Sequence, residues 1–315
     1  MTIDKPIVLK AAELPGWTTE ALRERFTVLE LPREAADAAA FLREHGPGIR
    51  GMALRKTKVD AALLDALPAL EIISSYSAGL DNVDVPAVKA RGIVLENTSH
   101  VLAEDVANTA LGLALAVTRD LVNADGFVRS GRWPAHGQYP LGRSISRMRV
   151  GIVGLGSIGS AIARRLAAFG SQVAYFGPNA KPVDLPYHDD VVRLATESDM
   201  LILTCPLSPA THHLVDAKVI EALGPQGYIV NIARGPVVDE RALIAALAAD
   251  RIAGAALDVF EHEPEVPAEL IGDARVVLTP HIGSATEETR RGMAENVVAT
   301  LGRHFFPPGG RQRLS

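Results

Sequence analysis

The sequence predicts an α/β protein of two parallel-sheet domains, and three observations carry that expectation. Short apolar runs alternate with helical patterns from residue 7 to residue 97, the same alternation restarts at Arg149, and a long apolar segment, Val101 to Val117, lies between them. Strands that alternate with helices need crossover connections, which make parallel sheets covered by helices. With 315 residues, 48% of them hydrophobic, the chain has apolar material for two cores.

In the first stretch IVLKA, FTVLEL, GMALR, EIISSY and GIVLEN read as strands, with helices expected over Arg33–Glu44, Asp60–Leu67 and Val85–Arg91. Val101–Val117 is interrupted by Glu104, Asp105, Asn108 and Thr109, too short and polar a run to span a bilayer. It reads as a buried helix that starts beside Glu104 and Asp105 and runs towards Arg119, charges that suit its two ends. The segment GRWPAHGQYP reads as a connector. The second stretch adds strands at QVAYF, MLILT, YIVNIA, AGAALDV and VVLT. A final helix, Thr286 to His304, is free to cross back onto the first domain. The expected domains are therefore 1–98 plus 288–315, and 99–287, with a cleft between them.

A net charge of −5 with 32 scattered Lys and Arg residues disfavours a nucleic-acid partner. Cys205 is the single cysteine, which rules out an intrachain disulfide framework, and the start MTIDKPIVLKAAEL lacks the features of a signal peptide. A cytoplasmic address and no membrane partner are expected. His212 and His213 are adjacent and therefore do not share a face, and no metal constellation surrounds them, so no metal site is expected.

The run RVGIVGLGSIGSAIARRLAAFG, Arg149 to Gly170, is a strand, a glycine turn and a helix, the sequence form of a dinucleotide site. Gly154 allows the turn, Gly156 lets backbone N–H groups approach a pyrophosphate, and Gly159 lets the helix pack on its strand. Ser157 and Ile158 open that helix and are further cofactor candidates. Both domains are thus expected to be Rossmann-like or flavodoxin-like.

Three charged positions follow the carboxyl ends of strands in this second domain, where such sheets present ligands. Arg234 follows YIVNIA, Glu263 follows GAALDV, and His281 follows VVLT. A cation for a carboxylate or ketone oxygen, a histidine to exchange a proton and a carboxylate to orient it suit hydride transfer between a nicotinamide and a ketone. His281 would protonate the developing alkoxide while Arg234 holds the substrate.

These motifs resemble those of the D-isomer-specific 2-hydroxyacid dehydrogenases, nearest the glyoxylate, hydroxypyruvate and hydroxyphenylpyruvate reductase branch. The likeness rests on SAGLDNVD at 77–84, VLAEDVANTALGLALAVTRD at 101–120, VGIVGLGSIG at 150–159, CPLSPATHHLV at 205–215, NIARGPVVDE at 231–240, LDVFEHEP at 257–264 and LTPHIGSATEETR at 278–290. It implies that Arg234, Glu263 and His281 are catalytic and that Ala78 and Gly79 offer backbone N–H groups to the substrate carboxylate. It also implies that Asp258 contacts the nicotinamide carboxamide and that Cys205, Pro206 and Thr211 line the nucleotide. Ile232, Ala233 and Gly283 flank these positions and join the cofactor candidates. A homodimer is implied as well. The implied reaction is reduction of a small 2-oxo acid to the D-2-hydroxy acid.

The second strand of the nucleotide domain ends in Gly177, Pro178 and Asn179, without the acidic residue that would hydrogen-bond a ribose 2′-OH. NADP(H) is therefore favoured and NAD(H) remains possible. Pro178 stands where this branch commonly has arginine, which leaves Lys181, Arg164 and Arg165 as candidate cations. Met52 and Trp133 are candidates for the walls of the substrate pocket. The alternatives are a phosphite-type dehydrogenase of the same build, or a nucleotide-sensing protein of the corepressor kind.

Overall fold

The computed structural model describes residues 5–11 and 13–307, so the outermost ends of the expected first domain lie outside the described residues. The chain divides into one unit formed by 1–102 with 286–315 and another formed by 103–285.

The first unit runs β1 (Ile7–Ala11), α1 (Gly16–Arg25), β2 (Thr27–Glu30), α2 (Ala35–His45), β3 (Ile49–Leu54), α3 (Ala61–Asp65), β4 (Ile72–Ser75), α4 (Val85–Ala90) and β5 (Val94–Glu96). Its five strands are all parallel, in the order β2-β1-β3-β4-β5. Leu9, Ile49, Met52, Leu54, Leu64 and Ile73 pack its core. Asp60 and Asp84 start α3 and α4 by accepting hydrogen bonds from the backbone N–H groups of Leu63 and Ala87. Helix α1 has no counterpart among the sequence-based expectations. Its first turn, Gly16-Trp17-Thr18-Thr19, has no apolar periodicity, yet Thr18, Thr19 and Leu22 are buried.

Helix α5 (Ser99–Arg119) carries the boundary between the units. It starts two residues before Val101, which puts Glu104 and Asp105 in its second turn, away from its end. At 21 residues it is, by length and composition alone, long and apolar enough to cross a membrane, contrary to the shorter reading of its sequence, but 56% of its most apolar window is buried within the protein, as in a core helix. Helix α6 (Leu121–Arg129) and the short α7 (Arg132–His136) follow. The expected connector around Trp133 is thus partly helical.

The second unit continues with β6 (Arg149–Val153), α8 (Ser157–Phe169), β7 (Gln172–Phe176), β8 (Tyr187–His188), α9 (Val191–Thr196), β9 (Met200–Leu203) and α10 (Ala217–Leu223). Then come β10 (Tyr228–Asn231), α11 (Glu240–Ala248), β11 (Gly254–Leu257), α12 (Ala268–Gly272) and β12 (Val276–Leu278). Its seven parallel strands lie in the order β12-β11-β10-β9-β6-β7-β8. Every residue of β9, β10 and β11 is buried, as expected of central parallel strands covered on both faces. Helix α13 (Glu287–Phe305) belongs to the first unit, where it packs on α1 and β4.

Candidate active site

The sheet order of the second unit reverses between β6 and β9, and ligands of open α/β sheets bind beyond the carboxyl ends of strands at such a switch. The glycine turn sits there. Gly154 has φ +100°, and a Cβ on it would lie 2.8 Å from the backbone of Cys205, two residues past the end of the other strand of the switch. A Cβ on Gly159 would lie 2.2 Å from the Gly154 carbonyl oxygen, so α8 packs directly against the turn. At Gly156, by contrast, an added Cβ meets nothing within 4 Å. Helix α8 has no side-chain cap and no acidic residue in its first turn, leaving the N–H groups around Ser157 and Ile158 to an outside anion. This open, uncapped helix start fits a dinucleotide pyrophosphate.

Around the turn after β7, the buried Tyr175 accepts a hydrogen bond from the Lys181 backbone N–H at 2.7 Å, and the Tyr187 hydroxyl donates to the Gly177 carbonyl at 3.1 Å. Pro178 and Asn179 stay exposed. The Lys181 ammonium donates to the Leu155 carbonyl within the glycine turn. Arg164 and Arg165 both pair with Glu104 at 2.7 Å, so of the three candidate cations it is Lys181 that reaches the dinucleotide loop.

Cys205 is buried, and burial pushes its thiol up to about 11. Pro206 and Thr211 close one turn, because the Thr211 hydroxyl donates to the Pro206 carbonyl at 2.7 Å. His213 adopts φ +51°, which brings the His212 and His213 rings to 4.1 Å, and its Nε2 lies 2.7 Å from Glu261. His213 therefore ties this segment to the loop that carries Glu261.

Beyond β10 the side chain of Asn231, almost fully buried, ties down the next three residues. Its Oδ1 accepts from the Ala233 N–H at 3.0 Å and its Nδ2 donates to the Arg234 carbonyl at 3.0 Å. Ile232 and Ala233 are buried, while Arg234 is half-buried. A Cβ on Gly235 would fall 1.9 Å from the Phe260 carbonyl carbon, so the Arg234 segment presses against the loop that carries Glu263. One Glu263 oxygen accepts from the Phe260 N–H at 3.3 Å, and the other lies 2.8 Å from His281 Nδ1. Glu263 and His281 thus form a hydrogen-bonded pair through His281 Nδ1.

His281 itself adopts φ +55°, a conformation that costs a non-glycine residue energy unless its surroundings enforce it. Asp258 does so. Its backbone oxygen accepts from the His281 N–H at 2.8 Å, and its carboxylate accepts from Thr279 Oγ1 at 2.6 Å, Ile282 N–H at 2.8 Å and Gly283 N–H at 2.8 Å. The family resemblance implies a cofactor contact for Asp258; its bonds in this structure hold the histidine loop. Asn231 was missed altogether, although a polar residue ending the buried run YIV was a signal that it had work to do.

In the first unit, Ala78 and Gly79 follow β4, and Asn97 fixes this turn by donating to the Ala78 carbonyl at 3.0 Å. Among the described residues the N–H groups of Ala78 and Gly79 donate to no protein acceptor. Met52 is completely buried in the core of this unit and cannot wall a pocket, because it lies within β3 and not beyond its end. Trp133 is exposed. No group of three or more metal-ligating side chains occurs among the described residues.

A sheet with a glycine turn at its switch point, and with Arg234, Glu263 and His281 beyond the ends of its strands, fits the class of nicotinamide-dependent oxidoreductases. A sequence model of the D-isomer specific 2-hydroxyacid dehydrogenase NAD-binding domain matches residues 111–283, and the chain belongs to that family. It is 45% identical over 300 residues to a glyoxylate/hydroxypyruvate reductase A of Arabidopsis thaliana, covering 95% of each chain. It is equally 45% identical over 300 residues, with the same coverage, to a hydroxyphenylpyruvate reductase of Plectranthus scutellarioides. Among solved structures, an NADPH-dependent glyoxylate/hydroxypyruvate reductase of Sinorhizobium meliloti, in complex with NADP and malonate, superposes with a TM-score of 0.87 at 40% identity, covering 99% of this chain and 97% of that one.

Proposed function

We propose that the protein reduces a small 2-oxo acid to the D-2-hydroxy acid with NADPH, NADH being a poorer donor. The Glu263–His281 pair at 2.8 Å beside the Arg234 segment carries this reading. A bound nicotinamide supplies the hydride. Arg234 holds the carboxylate and polarises the ketone, and His281 delivers a proton to the oxygen as negative charge develops there. Glu263 orients the imidazole and offsets its charge. The free N–H groups of Ala78 and Gly79 receive the carboxylate, so the first unit serves as the substrate domain and the second as the cofactor domain.

The residues lining the cofactor are Gly154, Gly156, Ser157, Ile158, Gly159, Gly177, Pro178, Asn179, Cys205, Pro206, Thr211, Ile232, Ala233, Asp258 and Gly283. The cofactor preference is supported by the missing carboxylate after β7 and by Lys181 at the glycine turn. A homodimer is supported by the apolar side chains exposed between residues 121 and 141, namely Leu121, Val122, Val128, Trp133 and Leu141. We infer that the enzyme acts in the cytoplasm.

NADPH and NADH oxidation with glyoxylate, hydroxypyruvate and hydroxyphenylpyruvate tests the reading. We expect turnover with a higher kcat/KM for NADPH, and Lys181→Met lowers the NADPH-to-NADH ratio about tenfold, the scale of one lost charge-assisted bond. Absence of turnover with both cofactors refutes the activity. An unchanged ratio in the variant removes Lys181 from cofactor selection.

A further inference from the structure

The ligand edge of the first unit holds a cavity of about 350 Å³ lined by Glu13, Leu14, Pro15, Arg55, Tyr76 and Arg290. Its position is informative. Glu13 to Pro15 follow β1, Arg55 follows β3 and Tyr76 follows β4, while Arg290 lies in the first turn of α13. The sheet order reverses between β1 and β3, so the cavity opens at this unit's own topological switch point.

The chemistry of the lining is cationic. The Arg55 guanidinium lies 5.7 Å from the centre of the buried Tyr76 ring, and the Tyr76 hydroxyl donates to the Arg290 carbonyl at 3.0 Å, which ties α13 to the same wall. Among the described residues neither Arg55 nor Arg290 forms an ion pair with a carboxylate. Glu13, the one acid in the lining, pairs with Arg33. Two arginines sharing one cavity repel each other unless an anion stands between them, and planar guanidinium groups match carboxylate and phosphate oxygens. Helix α1 begins beside the cavity with no acidic residue in its first turn, which adds positive potential.

We propose that this cavity is a subsite for a second anionic group on the 2-oxo acid, held by Arg55 and Arg290. The assignment rests on the proposed 2-oxo acid reduction, with the first carboxylate at Ala78 and Gly79. Tyr76 is two residues from Ala78, at most about 7 Å along the chain, so a tail of two or three carbons bridges the two positions. The preferred substrates are then 2-oxo acids with a distal carboxylate or phosphate, and glyoxylate is a minimal substrate that leaves the cavity unused.

The test compares kcat/KM within pairs that differ in the distal charge: 2-oxoglutarate against 2-oxopentanoate, oxaloacetate against 2-oxobutanoate, and 3-phosphohydroxypyruvate against hydroxypyruvate. At least one anionic member should exceed its neutral partner tenfold or more, and which pair shows the largest ratio tells carboxylate from phosphate. Arg55→Gln and Arg290→Gln should each reduce that ratio about tenfold, with Arg55→Lys restoring part of it. Ratios of one or below in every pair, or ratios that neither glutamine variant changes, overturn the subsite. If the wild-type protein reduces none of these acids and not glyoxylate either, the proposed reaction itself has failed and the subsite falls with it. Glyoxylate turnover without charge discrimination defeats the subsite alone.

Discussion

The two sheets share an architecture, yet their ligand edges are finished differently. At the edge of the seven-stranded sheet the buried polar groups are spoken for: Asn231 binds two backbone groups of its own loop, and the Asp258 carboxylate accepts three hydrogen bonds. In the five-stranded unit, the buried hydroxyls of Thr18, Thr19, Ser74, Ser75 and Thr98 have no protein partner. All five unpartnered buried side-chain atoms found among the described residues lie in this unit. The contrast teaches a division of labour. Proton and carbonyl chemistry demands donors and acceptors fixed before the substrate arrives, because reorganisation during the reaction adds to the barrier. Recognition of a variable tail, the role proposed for the first unit, tolerates a looser arrangement.

Breaking the fixed side should have the largest effect. His281→Gln removes the proposed proton donor while keeping a polar side chain, and should lower kcat for 2-oxo acid reduction by about 100-fold or more. NADPH affinity, measured by fluorescence titration, should change little. Near-normal kcat would show that another group delivers the proton.

A smaller and pH-dependent effect is expected at Asp199, which accepts from the Arg149 backbone N–H at 2.9 Å and from its guanidinium, fixing the start of β6. Burial opposes ionisation there, but the hydrogen bonds from Arg149 outweigh it and hold the carboxyl below its usual range. A lowered folded-state value means that the stabilisation is present above the unfolded value, near pH 4, and is lost as pH falls through the folded one. Asp199→Asn should therefore cost about 1–2 kcal/mol at pH 7, and the gap to wild type should shrink at pH 3, as read by urea unfolding. A gap independent of pH would sink this account.

The smallest effect sharpens the other side of the comparison. Thr18→Val deletes a hydroxyl that is buried and unpaired while keeping the shape, so unfolding free energy should stay within about 1 kcal/mol of wild type, on the favourable side if anything. A loss above about 2 kcal/mol would mean that the hydroxyl has a partner that matters, and the contrast between the edges would weaken.

Much of this molecule was legible in its sequence. The parallel strands announce themselves because central strands buried on both faces must be short continuous apolar runs, as YIVN and MLIL are. The glycine turn and the Arg234, Glu263 and His281 positions are legible because their spacing follows strand ends. Helix α1 was not, since its burial comes from contact with α13, almost 300 residues away in sequence by the end of that helix, and local periodicity carries no trace of it. The path of Lys181 was open for a similar reason. It depends on the Tyr175 hydroxyl catching the Lys181 backbone, a bond that no propensity encodes. Met52 misled because the point where β3 ends decides whether a side chain meets core or cavity, and Arg55 lies just beyond that end.

The burial of Cys205 beside the glycine turn has a practical corollary for experimenters. Burial pushes its thiol up to about 11, so little of it is ionised at neutral pH, and the thiolate is the reactive form. The native chain is thus close to a cysteine-free background. A cysteine introduced at an exposed position, such as Asn179 beside Lys181, would take a maleimide dye selectively and report dinucleotide arrival by fluorescence, with no need to replace Cys205 first.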